Sequence, residues 1–216
     1  MFTVAGLFNT LHAIPRAPAH EAGAPNEAGL PDSAQDLLRV AIVFTSAGLD
    51  ACLEVLLSHA IPVLIACNEN ARSKFDAYIE NQANAPRATQ DFLGAIKDLD
   101  PRGRLLELYI RSLTSGSFQG SKSIKDRCVA ALGIANEQLP FSRLAALDGF
   151  FRARNDVAHR LDLMQPAKGD VRPDRQPRRP DDVGRMCDDA LMLIRDLIEV
   201  VARNLDEWRR GAPADE

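Results

Sequence analysis

The chain reads as an all-α protein, a bundle of four to five long helices with short ones inserted, and three observations carry that reading. Apolar residues recur at spacings of three and four through several long runs. No segment alternates apolar and polar residues with a period of two, and no Asn-Gly hairpin signal occurs. Prolines and Ser/Asn-rich stretches punctuate the runs at helix-length intervals.

At 216 residues the chain can build one well-packed domain plus tails. Its formal net charge of -4 gives no global attraction for a polyanion, so any affinity for phosphate has to be local. Residues 1–31 are rich in Ala, Gly and Pro, a composition that buries too little apolar area to offset ordering, and they read as a flexible tail. Their start lacks the basic region of a signal peptide, and Asn9, Thr10 and His12 interrupt its apolar stretch.

Residues 32–210 form the expected helical domain. Asp32 or Ser33 can cap a helix that continues without proline to Ala60, with apolar residues on most faces, and it reads as a long central helix buried nearly all round. After Pro62 a second helix is expected to about Asn81, a short one from Thr89 to Leu99, and another from Pro101 to Leu113. TSGSFQGSKS, residues 114–123, is a loop by composition, and Ser121 or Ser123 can cap the helix that follows. Pro140 opens the next helix. The basic, proline-rich loop 165–181 then precedes an amphipathic helix over Asp182–Arg210, and 211–216 is a second tail.

Cys52, Cys67, Cys128 and Cys187 are far apart, form no CxxC and no zinc-type cluster with histidine, and read as buried thiols in a reducing, cytoplasmic compartment. No metal or cofactor is expected. No run of about 18 apolar residues is apparent, so no membrane span is expected either.

The chemistry concentrates in FFRARNDVAHRLD, residues 150–162. On a helix, Leu144, Leu147, Phe150, Phe151, Val157, Ala158 and Leu161 define one apolar arc, with Arg154 near its middle. A guanidinium there is costly unless paired, because desolvating a charge costs several kcal/mol, roughly, before a partner offsets it. Asn155 and His159, four apart, share a strip beside that arc, whereas Arg152, Asp156 and Arg160 lie toward water. Arg154 and His159 are roughly 140° apart on an ideal helix. A long arginine, a local distortion or a facing second copy can bridge that angle.

A histidine titrating near neutrality moves protons, a permanently charged arginine holds phosphate, and an adjacent amide orients either. These groups suffice for metal-free attack of an RNA 2′-hydroxyl on the neighbouring phosphorus, and equally for holding a nucleotide. A satisfied structural histidine is the ordinary alternative for His159.

Arg154-Asn155-Asp156-Val157-Ala158-His159 resembles the R-x4-6-H motif of the HEPN (higher eukaryotes and prokaryotes nucleotide-binding) superfamily, with Asn in the polar slot after the arginine. The alanine before the histidine and the upstream FSRLAALDGFFRA look like the RiboL-PSP-type branch. SAGLDACLEVLL in the first helix and the long closing helix extend the likeness over about Asp32 to Arg210. The resemblance implies a helical bundle that dimerises and brings two motifs to one cleft. It also implies a metal-independent endoribonuclease of a toxin–antitoxin or antiviral defence system, with an antitoxin or other system partner.

By position, Arg154 and His159 would be catalytic and Asn155 supportive. Asp50, or more weakly Glu54, would pair with Arg154. A tyrosine that some members carry two residues after the histidine is Leu161 here, so control through its modification is not implied. Lys168, Arg172, Arg175, Arg178 and Arg179 either contact RNA phosphates or belong to a solubilising loop. The alternative function is a catalytically silent module of the same superfamily that binds nucleotide, RNA or a partner protein.

Overall fold

A computed structural model describes residues 30–164 and 175–211. The described residues are predominantly helical and contain no strand, only one isolated antiparallel bridge between Leu163 and Arg175. The all-α expectation therefore holds.

The helices are α1 (Asp32–Cys67), α2 (Glu69–Ala83), α3 (Gln90–Ile96), α4 (Pro101–Thr114), α5 (Ser121–Ser123), α6 (Phe141–Ala145), α7 (Asp148–Arg160) and α8 (Pro180–Gly211). A π-helical segment, Ile124–Val129, continues α5. Two compact units result. One takes the chain through Leu49 together with Ala146–Met192, and the other takes Asp50–Ala145 together with the chain from Leu193.

α1 runs through Pro62 instead of ending at Ala60. A proline inside a helix costs about 3 kcal/mol, whereas Leu57, Ile61 and Leu64 around it are fully buried at about 1.5–3 kcal/mol each. Burial wins, and the break falls at Asn68, whose side chain accepts the Ala71 amide and caps α2.

The expectation that α1 is buried nearly all round is corrected. One stripe, including Leu38, Ile42, Leu49 and Leu53, is fully buried, while Phe44 is 71% exposed and Val55 58%. α1 is also long and apolar enough, by length and composition alone, to cross a membrane. Gly, Ser and Thr interrupt the apolar run by eye but barely lower its average hydropathy. A core helix passes the same test, and this one carries the fully buried stripe.

In the second unit, α2 and α3 pack on α4, with Tyr109 meeting Phe75 at 5.5 Å and Tyr78 at 5.1 Å between ring centroids. Asp100 caps α4 and Pro101 opens it. Loop 115–120 is held by Arg127, which donates to the carbonyls of Leu113, Gly116 and Ser117 and covers the Phe118 ring. The cap of α5 is Gly120, without a side-chain bond, rather than a serine. Gly133 has φ +66°, and a Cβ there would lie 2.4 Å from Asn68 Oδ1, so the turn before α6 needs a glycine.

The helix expected from Pro140 is interrupted at residues 146–147, so α7 starts afresh at Asp148, in the first unit. α7 ends on two consecutive left-handed residues, Leu161 at φ 52° and Asp162 at φ 60°. The Leu161 and Asp162 amides both bond back to the Asp156 carbonyl, closing the end of the helix.

Candidate active site

The site is built at the C-terminal half of α7, within the first unit. The apolar arc inferred from sequence holds through Leu144, Leu147, Phe150 and Phe151, all at most 3% exposed. It does not continue. Val157 is half-buried, and Ala158 and Leu161 are exposed, because the helix ends at Arg160 and its last turn projects beyond the packed face. Arg154 accordingly lies where burial gives out and is half-buried rather than enclosed.

Its Nη1 donates to Asn155 Oδ1 at 3.0 Å. The structure thus joins two of the three motif residues directly. His159, in the final turn, is exposed and makes no hydrogen bond or ion pair among the described residues. Asp156 and Arg160 form the exposed i,i+4 pair expected of them, at 3.8 Å, worth a few tenths of a kcal/mol, roughly.

Two residues beyond the helix, sequence reasoning missed the most constrained group in this region. Asp162 is 1% exposed. Its carboxylate accepts Arg39 Nε at 3.0 Å, Arg178 Nε at 3.0 Å and Arg178 Nη2 at 2.5 Å. The Arg178 contact is a two-pronged guanidinium–carboxylate pair, the geometry that best offsets desolvation.

The chain following the described gap is laid along α1 by the same centre. Arg39 Nη2 donates to the Gln176 carbonyl at 3.0 Å, and the Gln176 amide donates to the Asp162 carbonyl at 2.8 Å. Gln35 exchanges both its amide groups with the Arg178 backbone, at 2.8 and 2.9 Å. Asp36 bridges Arg39 and Arg175 at 3.1 and 2.6 Å. Residues 175–179 are therefore a strap tied to α1 and to the end of α7, which free-loop composition did not reveal.

This ordering sorts the five cations read from the basic loop. Arg178 is buried and committed to Asp162, so it has no guanidinium left to offer a phosphate. Arg175 is exposed beside Asp36, and its backbone bridges Leu163, four residues from His159. Arg179 is exposed. Lys168 and Arg172 lie outside the described residues.

Asp50 belongs to the second unit, where its Oδ1 accepts the Phe118 amide at 2.6 Å and pins loop 115–120. Glu54 is exposed. Among the described residues, no group of three or more His, Cys, Asp or Glu is placed to hold a metal ion.

Arg39 was legible by the argument applied to Arg154. It stands in the apolar run LLRVAIVF and therefore needed a buried acceptor. Asp162 carried no such signal, because an aspartate just past a helix ordinarily reads as surface. Neither family models, nor curated proteins, nor solved structures give a match to this chain.

Proposed function

We propose that the chain is a metal-independent endoribonuclease of the HEPN type, acting on RNA by 2′-hydroxyl transesterification. The observation that carries this reading is the Arg154–Asn155 hydrogen bond on the same helix as a solvent-facing His159. A guanidinium braced by a neighbouring amide keeps a defined direction, and an exposed imidazole can meet a bulky polymeric substrate. The exposed Arg175 and Arg179 add positive charge from the strap that follows.

In the reaction, His159 accepts the proton of the 2′-hydroxyl as its oxygen attacks the adjacent phosphorus. The bond to the 5′-oxygen breaks, that oxygen takes up a proton, and a 2′,3′-cyclic phosphate remains. Arg154 binds the non-bridging oxygens as charge builds on them. A homodimer supplies a second His159 to protonate the leaving group while the first acts as base. A cytoplasmic defence or toxin–antitoxin setting belongs to the same proposal.

The second reading, a silent module that binds nucleotide, RNA or a partner protein, is favoured by the absence of an orienting partner for His159 among the described residues.

Purified wild-type and His159→Ala proteins, incubated with mixed RNA in EDTA, separate the two. Cleavage leaving cyclic-phosphate ends, reduced at least about 100-fold in the variant, is expected for general acid–base catalysis. Equal cutting by both proteins, or none by a folded wild type freed of partners, overturns the enzyme reading.

A further inference from the structure

A cleft of about 420 Å³ lies entirely within the second unit, where Cys67 and Asn70 face Gln138, Asn204, Glu207 and Trp208. Its volume is in the range of small-molecule sites, roughly 300–1,000 Å³. Four of its lining residues, Asn68, Asn70, Gln138 and Asn204, are carboxamides, Glu207 is a carboxylate, and among the described residues neither lysine nor arginine lines it. Burial pushes the Cys67 thiol up, which keeps it uncharged near neutral pH. The cleft therefore disfavours phosphate and carboxylate and suits a neutral ligand with several hydrogen-bonding groups.

Asn204, Glu207 and Trp208 are spaced i, i+3, i+4 on α8, so one helical face offers an amide, a carboxylate and an indole together. The amide is only half used. Asn204 Oδ1 accepts Gln138 Nε2 at 2.7 Å, but Asn204 Nδ2 is buried with no hydrogen-bond partner. Unsatisfied buried donors are rare, and one beside a ligand-sized cleft points to an acceptor that arrives from outside. A ligand acceptor gives that donor its bond once the exposed Gln138 side chain, whose Oε1 also accepts the Ala135 amide, swings aside.

We infer that this cleft binds a nucleobase, and guanine in particular. The ring stacks on Trp208, since every base presents a π face to an aromatic side chain. Guanine alone among the four RNA bases carries two adjacent donors, N1–H and the 2-amino group, which a carboxylate such as Glu207 accepts in parallel. Its neighbouring O6 is the acceptor that the Asn204 amide lacks. The sugar and any phosphate remain outside, away from Glu207. This assignment uses no residue of α7 and stands apart from the cleavage reaction.

The chain has a single tryptophan, so its tryptophan fluorescence reports this cleft alone. The full-length protein is titrated with guanosine, adenosine, cytidine and uridine while emission is followed. Saturable quenching by guanosine, at least about tenfold tighter than by the other three, is expected. Glu207→Gln, an exposed position, and Asn204→Ala each weaken guanosine at least about tenfold with helical content unchanged.

A guanine-containing single-stranded oligomer distinguishes the source. Tighter binding than guanosine indicates a base carried by RNA, and equal binding indicates a free nucleoside; both keep the inference. Equal quenching by all four nucleosides, no quenching up to about 10 mM, or affinities unmoved in both variants would overturn it. The titration needs no cleavage, so it can fail or succeed independently of the His159 experiment.

Discussion

Asp162 shows how a single buried charge can organise a region. It lies past the end of α7 with φ 60°, a left-handed conformation that aspartate tolerates better than most residues because its short polar side chain can bond locally. That turn directs the carboxylate inward to Arg39 and Arg178, both at side-chain exposures near 10%. Removing one partner of a buried ion pair costs about 3–5 kcal/mol, because the remaining charge stays desolvated. Asp162→Ala leaves two such charges, so urea unfolding should show a loss at or above the upper end of that range. Arg160→Ala, which removes only an exposed pair at 3.8 Å, should change stability by less than about 0.5 kcal/mol. Comparable losses in both would mean that Asp162 is not a structural centre. The motif arginine was singled out at this scale as interrupting an apolar arc, but the buried arc stops short of it and Arg154 is only half-buried. The same rule, applied to Arg39, predicts a buried partner without naming it, since the partner is 123 residues away and no local pattern links the two.

At the level of elements, the sequence placed helices well and their faces less well. Pro101 marked the start of α4 closely, because the preference of proline for a first helical turn is local. Pro62 misled, because the burial of its neighbours outweighs a local penalty that a sequence pattern cannot weigh. The four thiols report these faces directly. Cys52 is exposed on the solvent side of α1, Cys67 is half-buried at its end, and Cys128 and Cys187 are buried, so the reading of all four as buried thiols is corrected for Cys52 and Cys67. Burial disfavours thiolate, and it pushes Cys128 up to about 12 and Cys187 in the same direction. A raised pKa lowers the reactive fraction at any pH below it. Cys128 should therefore stay inert to a thiol reagent as pH rises from about 7 to about 9, while Cys52 reacts readily. Mass spectrometry after a brief alkylation should find label on Cys52 first, then Cys67, with Cys128 and Cys187 labelled only after denaturation. Early labelling of Cys128 would mean that the π-helical segment opens readily in the native protein.

Over the whole molecule, net charge and local charge pull against each other. At -4 the chain repels RNA at long range, so binding depends on how many cations are free to replace counterions. Sequence alone offered five loop cations as equivalents. The fold removes Arg178 from that set, since its guanidinium already neutralises Asp162, whereas Arg179 remains exposed. For single strands, log K falls with log salt at a slope of about -0.7 per phosphate neutralised. Under the RNA-binding reading, Arg179→Ala should flatten that slope by about 0.7, measured by fluorescence anisotropy of a labelled oligomer over a salt series. Arg178→Ala should leave the slope of the folded protein unchanged and instead lower its urea midpoint, because it strips a buried carboxylate of its two-pronged partner. The two arginines are adjacent in sequence and identical in formal charge, so composition cannot separate them. A flattened slope in Arg178→Ala with an unchanged urea midpoint would place its guanidinium on RNA and break the strap as described.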